Sequence, residues 1–133
     1  MKRIEHLGIA VKDLETAEKI FTDVLGVEPF KREEVADENV ITSFFQTGES
    51  KVELLQSTSD DGPIARHIEK RGEGLHHIAF HVDDINAEIS RLAQLGYRCI
   101  SGPKDGADGK IIAFPHPTDT SKVLIELCSD KGI

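Results

Sequence analysis

IEHLGIAVKDLE, residues 4 to 15, returns 71 positions later as LHHIAFHVDDIN, residues 75 to 86, with His6 and His77 in the same register. A second pair of stretches follows: SKVELLQS, residues 50 to 57, is echoed by SKVLIELCS, residues 121 to 129. Each half therefore opens near a histidine and closes near a glutamate, His6 with Glu53 and His77 with Glu126, at separations of 47 and 49 residues. Self-similarity at this spacing means one structural unit used twice. If the halves close on each other, two imidazoles and two carboxylates form a divalent-metal ligand set. It suits Zn, Co, Mn, Ni or Fe(II) without choosing among them.

Working outward from the repeat, the pattern reads as α+β, two βαβββ units. Leu7, Ile9 and Val11 alternate with His6, Gly8 and Ala10, which describes a strand with one apolar face and one nearly bare face. Asp13 is the expected N-cap of a helix whose Leu14, Ala17, Phe21, Val24 and Leu25 recur at helical spacing, with Gly26 as stop signal. The second copy repeats this with Ile78, Phe80 and Val82 inward, Asp84 as cap, Ile85, Ile89, Leu92 and Leu95 as stripe, and Gly96 as stop. Three short strands are expected after each helix, near 28–35, 40–47 and 51–56 and again near 97–101, 110–115 and 122–128. The stretch 57–73 opens with turn formers and places Pro63 at a helix N1 position, so it reads as a connector with a short helix. The expected organisation is one domain over residues 1–133, with module one at 1–56, the connector at 57–73 and module two at 74–133. A module of about 60 residues has little core alone.

Parity singles out the same four residues. His6 shares its face with Gly8 and Ala10, and His77 with Ala79 and His81; small neighbours leave room for an ion and a ligand. Glu53 stands with Lys51 and Leu55, and Glu126 with Leu124 and Cys128, each in an apolar strand where a carboxylate is costly to bury unless a cation meets it. His76 points away from His77 and reads as structural or as a supporting partner. His81 reads as a pocket or rim residue, and His67 and His116 as exposed side chains.

Composition narrows the partners. A net charge of −8 disfavours nucleic acid and anionic membrane surfaces, both of which reward a basic face. It leaves room for an anionic small molecule met by a few local lysines. Cys99 and Cys128 form no CxxC pair and suit a reducing compartment. No apolar run approaches the roughly 20 residues that span a bilayer, and Glu5 and His6 interrupt the first apolar stretch, so no signal peptide is expected. The cytoplasm is the expected location.

These residues resemble the vicinal oxygen chelate superfamily and, within it, the methylmalonyl-CoA epimerase family. The carrying motifs are IEHLGIAVKDLE, KVELL with DGPIARHIEKRGEGLHHIAFHVDDI, and the closing FPHPTDTSKVLIEL. The resemblance implies two paired βαβββ modules in a cup-shaped, glyoxalase-like mixed sheet around a divalent metal held by His6, Glu53, His77 and Glu126. It implies a homodimer acting on methylmalonyl-CoA, exchanging the C2 proton through a metal-stabilised enolate, with Glu126 as ligand and catalytic base. Some members use a carboxylate where this chain has Thr42; Glu38 is a nearby candidate for that second acid or base, and a water with Glu126 is the alternative. Members commonly carry a lysine where Thr118 stands and a glycine where Lys122 stands. The ligand set also fits glyoxalase I, a lyase acting on a glutathione hemithioacetal. A ring-cleaving dioxygenase or a non-catalytic ligand-binding member of the superfamily fits the four ligands less well.

Overall fold

A computed structural model describes residues 1–131. Its elements run β1 (Arg3–Ala10), α1 (Leu14–Leu25), β2 (Lys31–Val35), β3 (Val40–Thr47), β4 (Ser50–Ser57), α2 (Pro63–Arg71), β5 (Gly74–His81), α3 (Ile85–Gln94), β6 (Cys99–Asp105), β7 (Lys110–Pro115) and β8 (Ile125–Asp130). This is the βαβββ order twice, with α2 between the copies. The chain divides into two compact units, one of His6–His76 and the other of Met1–Glu5 with His77 onward.

In the first unit the strands lie in the order β2-β3-β4-β1, with β1 parallel to β4 and the other pairs antiparallel. A parallel neighbour needs a long crossover, which α1 and the intervening strands supply. The Asp13 carboxylate caps α1 by accepting from the Thr16 backbone N–H, and Gly26 ends it in the left-handed conformation, φ 73°. One face of this sheet packs Leu54, Phe45 and Val11 under Leu14 and Ala17 of α1, with Ile9, Phe21, Leu25 and Val52 around them. At one end of the opposite face Ile64 and Ile68 of α2 meet Ala10, Val40 and Leu55. Phe44, Lys51, Glu53 and Gly8 continue that face beyond the helix.

The second unit repeats the plan with the order β5-β8-β7-β6 and β5 parallel to β8. Asp84 caps α3 by accepting from the Ala87 N–H, and Ile85 packs with Val82, Ala113 and Leu127. Ala79, Ile112 and Cys128 form the cluster on the other face. The first residues of the chain belong here: the Lys2 N–H donates to the His81 carbonyl at 2.9 Å, and the Lys2 ammonium lies 3.1 Å from Asp83.

Three strands depart from the expected limits, each for a backbone reason. β2 starts at Lys31 rather than near 28, beyond Pro29, which has no N–H to give a ladder. β6 runs to Asp105 instead of ending near 101, continuing past Pro103 with register shifts between Cys99 and Ser101 and between Ser101 and Lys104. β8 starts at Ile125 rather than 122, because Ser121 and Lys122 turn the chain at φ 57° and 65°.

Candidate metal-binding and active-site residues

Register places the first histidine and glutamate. Across the parallel β1–β4 pair His6 lies opposite Lys51 and Gly8 opposite Glu53, so all four share one face. His6 Nδ1 is 3.1 Å from Glu53 Oε2, and both side chains are buried. Lys51 Nζ approaches the same carboxylate oxygen at 3.7 Å and lies over the Phe44 ring, 5.6 Å from its centre. Phe44 is the β3 residue facing Glu53. Gly8 contributes no side chain to this row.

The second unit holds the matching pair. Ala79 lies opposite Glu126 across the parallel β5–β8 pair, and His77 Nε2 is 3.4 Å from Glu126 Oε1. Both are buried, and the Phe114 ring stands edge-on to His77 at 6.5 Å between centres. The Cys128 thiol, on the same face of β8 as Glu126, lies 4.0 Å from Glu5 Oε1. Each unit thus buries an imidazole against a carboxylate, an arrangement that costs free energy unless charge or a hydrogen bond compensates it.

The other singled-out residues separate by position. Thr42 is 1 % exposed and stands between Leu55 of β4 and Glu33 of β2, on the face that carries Glu53. A threonine hydroxyl in that place cannot act as a neutral-pH base. Glu38 ends the 3-10 turn after β2, and its charge bears on His76. His76 packs edge-on against His67 at 4.9 Å between ring centres, and burial, then the His67 charge, push its pKa down to about 4 against the pull of Glu38. His67 is therefore half-buried packing rather than an exposed side chain. His116 caps the turn that follows β7: its Nδ1 accepts from the Thr118 N–H at 3.1 Å. His81 closes β5 with Nε2 3.5 Å from Asp83, in keeping with a rim position.

Two buried charges went unassigned in the sequence. Lys51 shares the Glu53 parity, but period-2 alternation reports a face and not a depth. Glu5 is 4 % exposed and occupies the place that His76 holds in the second copy of the repeat. That alignment was the available signal.

The description of the family model matching residues 5–114 is the glyoxalase/bleomycin resistance protein/dioxygenase superfamily. The uncharacterized protein YqjC of Bacillus subtilis is 39% identical over 133 residues, covering 99% of this chain and 95% of that one. The ethylmalonyl-CoA/methylmalonyl-CoA epimerase of Cereibacter sphaeroides is 38% identical over 128 residues, with coverage of 94% and 96%. The solved structure of a Streptomyces coelicolor methylmalonyl-CoA epimerase variant in complex with 2-nitronate-propionyl-CoA superposes with a TM-score of 0.92 at 31% identity, covering 100% of this chain and 97% of that one.

Proposed function

Because this chain belongs to the methylmalonyl-CoA epimerase family of the glyoxalase/bleomycin resistance protein/dioxygenase superfamily, and is an isomerase of the epimerase type, we propose that it interconverts (R)- and (S)-methylmalonyl-CoA. In this reading a divalent metal ion is held by His6, Glu53, His77 and Glu126. The observation that carries it is the pair of buried contacts, His6 to Glu53 at 3.1 Å and His77 to Glu126 at 3.4 Å, one in each copy of the repeat. The donor set fits the ion: two neutral imidazoles supply lone pairs, and two carboxylates balance a charge of +2. Bound there, the ion supplies Lewis acidity toward charge developing on the thioester oxygen.

The protein's own groups move the proton. Glu126 accepts the C2 proton, and the C–H electron pair delocalises into the thioester carbonyl. A water on the opposite face of C2 donates the returning proton and restores the bond with inverted configuration, while Glu126 gives up to solvent the proton it took, so nothing is oxidised and no organic cofactor is required. Burial of Glu126 beside His77 excludes bulk water from the carboxylate. On family membership we also propose a cytoplasmic homodimer.

The test is proton exchange. Metal-loaded protein in heavy water should incorporate deuterium at C2 of methylmalonyl-CoA without O2 or glutathione; no incorporation overturns the reading. Conversion of a glutathione hemithioacetal in its place would move the protein to the lyase branch.

A further inference from the structure

Inversion at C2 needs a proton path on the face away from Glu126, and that path must run in both directions. When the other epimer is the substrate, the group on that face has to accept the C2 proton. A lone water is a poor base toward carbon, because it would be left as hydronium; a carboxylate behind it removes that cost. Register across β1, β4, β3 and β2 places one. On the face of the first unit that carries Glu53, one row of side chains is Gly8, Glu53, Phe44 and Lys31, and the next is Ala10, Leu55, Thr42 and Glu33. Side chains directly opposite on neighbouring strands start about 5 Å apart, a gap that a glutamate is long enough to cross above a residue as short as threonine. Thr42 is buried and Glu33 is 35% exposed, so the Glu33 carboxylate borders both the ligand face and solvent. The Lys31 ammonium lies 3.4 Å from Glu33 Oε1 and 5.0 Å from the Phe44 ring centre, which favours the ionised carboxylate at this place. Other carboxylates nearby are placed differently. Glu53 is assigned to the ion, Glu34 points to the opposite face of β2, and Glu38 lies past the end of β2, where its charge bears on His76. Glu5, next to His6 in the chain, is buried away from the solvent that must refill the proton.

We infer that Glu33 is the proton relay for the second face of C2, acting through the water that meets that face. This deepens the epimerase reading and rests on it. In one direction the water gives a proton to C2 and takes one from the Glu33 carboxyl group, which solvent then refills. In the other direction the water takes the C2 proton and passes one to the Glu33 carboxylate, which releases it to solvent. Each step moves one proton and leaves the water neutral. Glu33 touches the water and not C2, so it is a positioning residue whose effect is stereochemical: it serves one face of the carbon.

The test follows deuterium content and configuration at C2 together, starting from each epimer of methylmalonyl-CoA in heavy water with the metal-loaded full chain. Wild-type protein should label and invert both epimers. In Glu33→Gln, the epimer whose C2 proton faces Glu126 should still gain deuterium but keep its configuration, with inversion slowed about 100-fold. The other epimer should lose labelling and inversion alike. A merely structural role for Glu33 would slow both epimers equally and would not separate labelling from inversion. Glu34→Gln, on the exposed opposite face of β2, should behave as wild type. Inversion at the wild-type rate in Glu33→Gln, or equal loss of labelling from both epimers, overturns the inference and leaves the epimerase reading standing. Wild-type protein that labels neither epimer overturns the epimerase reading, and the relay with it.

Discussion

At Lys122 a single backbone angle connects a departure from the family text to a structural cost. The residue adopts φ 65° in the turn before β8, at the position where the family resemblance implies a glycine. A side chain in that region crowds the following carbonyl, at about 1–2 kcal/mol, partly offset by the greater freedom of an unfolded glycine. Lys122→Gly should therefore stabilise the protein by about 0.5–1 kcal/mol, measured as a shift of the denaturation midpoint. Glu126→Gln is expected to leave the fold in place while cutting C2 exchange by about 100-fold or more, the usual contribution of a positioned base; a wild-type rate would assign the base elsewhere. The four ligand candidates were legible because duplication in register is a property of the text. Thr42 and Lys51 were legible only as faces, since their depth depends on which strands flank them.

At the level of elements, the parallel pairs β1–β4 and β5–β8 bring each histidine and glutamate together and the antiparallel edge β6–β7 absorbs register shifts. Gly102 shows how tightly β6 lies on β7: a Cβ there would stand 2.4 Å from the Ile112 carbonyl oxygen and 2.7 Å from Ala113 Cα, at φ 90°. Gly102→Ala must push one strand off the other, and a loss of about 2–4 kcal/mol is expected in chemical denaturation. The contact of α2 with β5 carries a pH dependence. His76 has a folded pKa of about 4 against an ordinary 6.5, so between those values the unfolded chain binds the extra proton. Stability from this group is present at neutral pH and is lost as pH falls through 6.5 toward 4, by about 3 kcal/mol in all. His76→Phe should flatten that loss, seen as a smaller drop in Tm between about pH 7 and pH 5. The helices and their N-caps followed from spacing and single polar residues, Asp13 and Asp84 among them, but Val24 and Leu95, at the ends of the expected apolar stripes, are exposed. The limits of β2, β6 and β8 did not, because proline placement and positive φ act through backbone geometry that hydrophobic alternation does not record.

For the molecule as a whole, two modules with a buried imidazole–carboxylate pair each are expected to gain stability from the ion they are proposed to share. Stripping the metal with a chelator should lower Tm by about 10–15 °C, which corresponds to about 3–4 kcal/mol for an ion present at 100 to 1,000 times its Kd. A Tm indifferent to chelation, with no ion retained on purification, would remove the metal from the proposal. The sequence by itself determined the two βαβββ copies, the apolar and bare faces of their strands, and the four histidines and glutamates in equivalent places. These are local or repetitive properties: side-chain alternation follows from the pleat, and duplication is visible without folding. Only the tertiary structure decided that Lys51 is buried beside Phe44 and shares a carboxylate oxygen with His6, and that His76 packs edge-on against His67. Those outcomes depend on register and packing between residues far apart in the chain, where burial sets the cost of every charge.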